Sequence, residues 1–86
     1  MKALGIVEVK SLIGAIEAAD AMLKSADVKL VDINFVGSGI VSSIVEGDVA
    51  AVTAAVYAGE ESAKRIAEII STNVIARPHE EVAKIL

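Results

Sequence analysis

Cysteine is absent from the 86 residues. That excludes disulfides, thiolate metal sites, iron–sulfur ligation and thiol nucleophiles. Aromatic side chains are nearly absent as well, with Phe35 and Tyr57 the only two and no tryptophan. Nucleic-acid binding usually shows a basic stripe interleaved with stacking aromatics; here Lys and Arg are scattered and the net charge is −4, so no nucleic-acid partner is expected. No apolar run approaches the ~18 residues that a membrane span needs, and charges interrupt every segment, so no membrane partner is expected either. The start, MKALGIVEVK, lacks a long apolar stretch of the secretory kind and soon carries Glu8, which with the missing cysteine fits a cytoplasmic location.

Catalytic equipment is equally sparse. The single histidine, His79, follows Arg77 and Pro78. A catalytic histidine needs a carboxylate partner and a nucleophile within reach, and the adjoining Glu80 and Glu81 read as charges at a helix start. Glu8 and Glu46 read as lone, solvated strand-end carboxylates. No Walker loop, dinucleotide fingerprint or metal-ligand spacing occurs. The expectation is a protein that is not an enzyme, with no catalytic residue, no cofactor and no metal.

What the chain does have is apolar surface. Hydrophobic residues make up 55% and the mean hydropathy is +0.65. A domain of this size buries only about 60–65% of its unfolded surface, so one domain, residues 1–86, is expected to be marginal alone. The simplest place to bury the excess is against other copies of the chain.

Residues 3–9, ALGIVEV, form a β-rich run. Residues 12–26 read as a helix of strong helix formers, with Ser11 as N-cap. Its polar residues Glu17, Asp20 and Lys24 make one narrow stripe, so the helix is expected to be covered on two sides. Residues 28–36, VKLVDINFV, alternate as a strand, with Lys29, Val31, Ile33 and Phe35 on the more core-facing side. A Gly37-Ser38-Gly39 turn leads to a strand at 40–46; glycine supplies the positive φ of a tight hairpin. Asp48 suits the N-cap of a long helix over 49–70, with Val49, Val52, Val56, Ala63, Ile66 and Ile70 as its core stripe and a second surface of alanines. A fourth strand spans 73–77, Pro78 stops it, and a short terminal helix covers HEEVAKIL. The order β-α-β-β-α-β predicts an α/β (α+β) fold of the ferredoxin-like, split-βαβ kind, with an antiparallel four-stranded sheet.

In order and spacing, AADAMLK (18–24), GSG (37–39), EGDV (46–49) and RPH (77–79) resemble the single-domain bacterial microcompartment shell proteins, nearest to the shell hexamers of propanediol- and ethanolamine-utilising compartments, with carboxysome shell hexamers as relatives. The resemblance runs end to end. It implies a cyclic homo-hexamer that tiles with neighbouring hexamers and other shell proteins into the facet of a polyhedral shell. It implies that Gly37, Ser38 and Gly39 of six subunits line a central pore for small polar metabolites, with Phe35 beside them. It also implies that Lys24, Arg77, Pro78 and His79, with Asp27 nearby, form the hexamer–hexamer edge. Three positions depart from the pattern: Phe35 stands where lysine is frequent, Glu46 where arginine is frequent, and Asp27 where asparagine or arginine is common. If Phe35 and Glu46 flank the pore mouth, its preference for anions is weakened. The competing expectation is a ferredoxin-like oligomer that binds a metabolite in a regulatory role and closes without growing sheets.

Overall fold

The computed structural model describes residues 2–76. Arg77, Pro78, His79 and the expected terminal helix lie outside the described residues. The elements are β1 (Lys2–Val9), α1 (Leu12–Ser25), β2 (Lys29–Gly37), β3 (Ile40–Asp48), α2 (Val49–Ala63) and β4 (Ile69–Ala76). The strands form one antiparallel sheet in the order β2-β3-β1-β4, and every ladder is antiparallel. Both helices pack on one face, which gives the two-layer ferredoxin-like fold expected from the element order.

The period-2 rule puts Ala3, Gly5, Val7 and Val9 of β1 under the helices, and all four are buried. Across the ladder they meet Gly47, Val45, Ser43 and Val41. Helix α1 closes this core with Ala15, Ala18 and Met22, and α2 with Val52, Ala55, Val56 and Ala63. Approach is close: a Cβ added to Gly5 would lie 2.7 Å from both Val52 Cγ1 and Val56 Cγ2, so α2 rests nearly on the β1 backbone. The one buried hydroxyl between the layers is satisfied, as Ser43 Oγ donates to the Ala15 carbonyl at 2.6 Å. Ser11 caps α1 as expected, its extended backbone (φ −175°, ψ 145°) letting Oγ accept from the Gly14 N–H at 2.7 Å. Asp48 occupies the N-cap position of α2 but makes no side-chain capping bond.

Two expectations are corrected. The second helix ends at Ala63, not at residue 70. The Ile66 and Ala67 N–H groups both turn back to the Ala63 carbonyl, and the chain then extends so that Ile69 can pair with Val9. Ile66 and Ile70 are therefore exposed, at 55% and 40%, and are not core. In β2 the ladder skips a residue between Leu30 and Asp32, so a bulge at Val31 breaks the simple alternation. Leu30, Ile33 and Phe35 share rows with the helix-side residues Val45, Ser43 and Val41, whereas Lys29, Asp32 and Asn34 share the uncovered face. Within one chain the inner side of α1 is covered; the second covered side was expected from other copies of the chain. Leu12, Ile13, Ile16 and Leu23 remain exposed, Ile13 by 73%.

The topology gives the sheet two distinct ends. β1 finishes, α1 begins, the β2–β3 hairpin turns, and α2 hands over to β4 all at one end. α1 finishes, β3 passes into α2, and β4 reaches Ala76 opposite Ala3 at the other. Strand β2 alone separates the ends by about 25 Å at the usual ~3.3 Å per residue.

Candidate functional site

At the hairpin end, Gly37, Ser38 and Gly39 all have positive φ, at 125°, 55° and 80°. Only glycine adopts the first conformation without strain, and a serine tolerates the left-handed region at modest cost. A Cβ on Gly37 would meet nothing within 4 Å. Within one chain this glycine is therefore required by backbone conformation and not by crowding. All three residues are exposed, and the Ser38 hydroxyl stands at the tip. The sequence-singled Phe35 is beside the turn and 68% exposed, with Val36 at 52%.

Two further residues at this end make contacts that the sequence did not signal. Lys10 follows β1 and donates its backbone N–H to the Glu68 carbonyl at 3.0 Å. Its stem lies against the turn, with Cγ 3.8 Å from the position of a Cβ on Gly39. Glu8, expected to be solvated, is instead a clasp on the uncovered sheet face. Its two oxygens accept from Ser42 Oγ at 2.6 Å and from Ser71 Oγ at 2.7 Å, joining β3 and β4 across β1. Those two hydroxyl donors, Ser42 first, hold its pKa below the ordinary carboxylate value against a small opposing effect of burial. No sequence signal marks the clasp, because its partners lie 34 and 63 residues away.

At the opposite end, the Lys24 ammonium pairs with Asp20 at 2.9 Å, one helical turn earlier. The hydrogen bond and then the charge of Asp20 push its pKa up, with Glu17 adding a little. Asp27 is exposed just past the helix. It lines a shallow depression of about 190 Å³ together with Lys2, Lys29, Glu46, Gly47 and Asp48. Glu46 is half-buried here, six positions along β3 from Ile40 and so about 20 Å from the turn at the usual strand rise. The expectation that Phe35 and Glu46 could share one mouth is thus corrected: Phe35 stays by the hairpin and Glu46 belongs to the far end. The structure brings Lys24 and Asp27 to the same end of the sheet, away from Gly37, Ser38, Gly39 and Phe35. No helix among the described residues is long and apolar enough to cross a membrane.

Comparison with known proteins identifies the family. The BMC domain model matches residues 3–78. The chain is 55% identical over 85 residues to the bacterial microcompartment shell protein PduA of Citrobacter freundii, covering 99% of this chain and 91% of that one. It is 47% identical to the shell protein EutM of Salmonella typhimurium, covering 99% and 88%. It is 48% identical to a carboxysome shell protein of Hydrogenovibrio crunogenus, covering 98% and 88%. Among solved structures, a microcompartments protein from Desulfitobacterium hafniense superposes with a TM-score of 0.84 at 39% identity, over 95% of this chain and 44% of that longer one. The chain belongs to the BMC domain family, the shell proteins of bacterial microcompartments.

Proposed function

We propose that this shell protein is a six-fold ring whose subunits point their hairpin ends at the axis and their Lys24 ends at the rim. The ring tiles through its rim into a facet and carries a pore lined by Gly37, Ser38 and Gly39. It works as a wall component and not as an enzyme. The observation that carries this reading is the separation of the two ends along the sheet. A subunit with a glycine turn at one end and a lysine-bearing helix end at the other is polar along one line, as a wedge in a closed ring must be.

Exposed apolar surface supports the same orientation. Ile13, Phe35, Val36 and Ile66, each more than half exposed, belong to elements that meet at the hairpin end. Six neighbours converging there would cover surface that one chain leaves in water; apolar area removed from water contributes about 25 cal/mol per Å². At the axis, six Ser38 hydroxyls give a polar constriction that favours hydrogen-bonding solutes over apolar ones, since pore width and lining donors set selectivity. With Phe35 in a place where relatives often carry lysine, the tip itself offers anions less than a cationic tip would.

At the rim, Lys24 and Asp27 are joined in this proposal by Arg77, Pro78 and His79, because the described chain leaves β4 at Ala76, at this same end. An arginine suits a seam, as its planar fork presents several donors at once. Negative-stain microscopy of the purified protein, with its native mass, tests the whole. Six-chain particles that form flat hexagonal arrays are expected. A smaller closed oligomer that never forms arrays would overturn the tile and favour a metabolite-binding regulator.

A further inference from the structure

We propose that Lys10 is the cationic selectivity residue of the hairpin opening, drawing small anions, carboxylates foremost, toward Ser38. The inference rests on the ring reading above and deepens it. The pore tip is uncharged, formed by two glycines, one serine and the flanking Phe35 and Val36. One cation that the structure brings beside it, Lys10, comes from outside the hairpin, just past β1. The Lys10 Cγ lies 3.8 Å from where a Cβ on Gly39 would stand, and its main chain is pinned to Glu68. The base of the side chain is thus fixed beside the hairpin while the ammonium remains in solvent.

The charges around it leave that ammonium available. Neither the Lys24–Asp20 nor the Lys64–Glu61 ion pair involves Lys10. Glu8, two residues earlier, has both oxygens occupied by serine hydroxyls. Glu68 contributes its backbone carbonyl, and its exposed carboxylate forms no ion pair with Lys10. With six-fold repetition, six ammonium groups would surround one constriction with low-dielectric walls, the arrangement that concentrates counter-ions at an entrance. Lysine suits this role better than a residue at the tip itself. Set back from the opening, it attracts an anion without filling the passage, and its long stem keeps the charge hydrated so that the anion is not held fast.

The measurement is influx into closed shells co-assembled from this chain and its shell partners, using acetate and its neutral isostere acetamide as probes. With the native chain, acetate should enter in excess, and the excess should shrink between 0.1 and 1 M salt as the Debye length falls from ~10 to ~3 Å. In Lys10→Gln shells the acetate/acetamide ratio should fall by roughly tenfold, the lower end of electrostatic focusing, and lose its salt dependence, while Lys10→Arg restores both. A ratio unchanged in Lys10→Gln overturns the proposal. Ser38→Leu separates that failure from failure of the pore itself. If Ser38→Leu slows both probes while Lys10→Gln changes nothing, the pore stands and Lys10 is a bystander. If Ser38→Leu slows neither probe, the hairpin is not the passage and both readings fall.

Discussion

The two ends of this small sheet are made of different chemistry. The hairpin end carries glycine, one serine and four apolar side chains more than half exposed, Ile13, Phe35, Val36 and Ile66, beside the charges Lys10, Lys64, Arg65 and Glu68. The other carries Lys2, Asp20, Lys24, Asp27, Lys29, Glu46 and Asp48, several already paired or lining one depression. Apolar surface gains by permanent burial, because its association is driven by the area removed from water. A charged end gains little from burial but keeps orientation and reversibility, since exposed ion pairs contribute only ~0–1 kcal/mol each. On the ring proposal, the apolar surface of the hairpin end closes the ring and the opposite end makes the contacts between rings.

The comparison is broken most severely by putting charge where burial is expected. Ile13→Asp should dissociate the ring, because an unpaired carboxylate in a packed interface costs several kcal/mol per subunit; native mass should fall to the single chain with helical circular dichroism retained. A ring that survives would move the packed end elsewhere. At the opposite end, Lys24→Ala should leave ring mass unchanged and thermal stability nearly so, given the small worth of its pair with Asp20, while hexagonal arrays disappear from micrographs. Arrays at normal abundance would remove Lys24 from the seam.

Smaller effects sharpen the picture. Gly37→Ala should cost about 1–3 kcal/mol in denaturant unfolding, wholly from backbone strain at positive φ, because the space around its Cβ is empty. A larger loss of ring than of fold would show that neighbours crowd the turn. Glu8→Gln should cost about 1 kcal/mol at neutral pH, since the amide oxygen still accepts one hydroxyl of a half-exposed clasp. Its sign with pH is fixed. The carboxylate is held below its ordinary value of 4.5, so its contribution is complete above that pH and fades as acid protonates the folded form. Native protein and variant should therefore converge in stability on the acid side.

Most of the architecture was legible because local and global signals agree. Ser11 precedes a run of helix formers, two β-prone runs flank Gly37-Ser38-Gly39, and the element order allows few topologies. The family was legible because four short motifs keep their order and spacing, although each alone says little. The second helix was read too long for a physical reason: Lys64-Arg65-Ile66-Ala67-Glu68 has good helix propensity and no glycine or proline, and only the need of Ile69 to pair with β1 ends the helix at Ala63. The bulge at Val31 was hidden because it is a property of the β2–β3 pairing and not of β2. Glu8 looked like a solvated charge at a strand end, and Lys10 gave no signal, because their partners come from other parts of the chain, in contacts that no spacing rule encodes.

The ion pair between Lys24 and Asp20 has a consequence for how a wall grows. On the tile proposal, each Lys24 must leave an existing partner to meet a neighbouring ring, so docking exchanges one weak interaction for another. A subunit seated in the wrong register is then lost quickly, before later arrivals trap it. Long-range order can emerge by repeated trial and release at the growing margin, and a facet that tears can anneal.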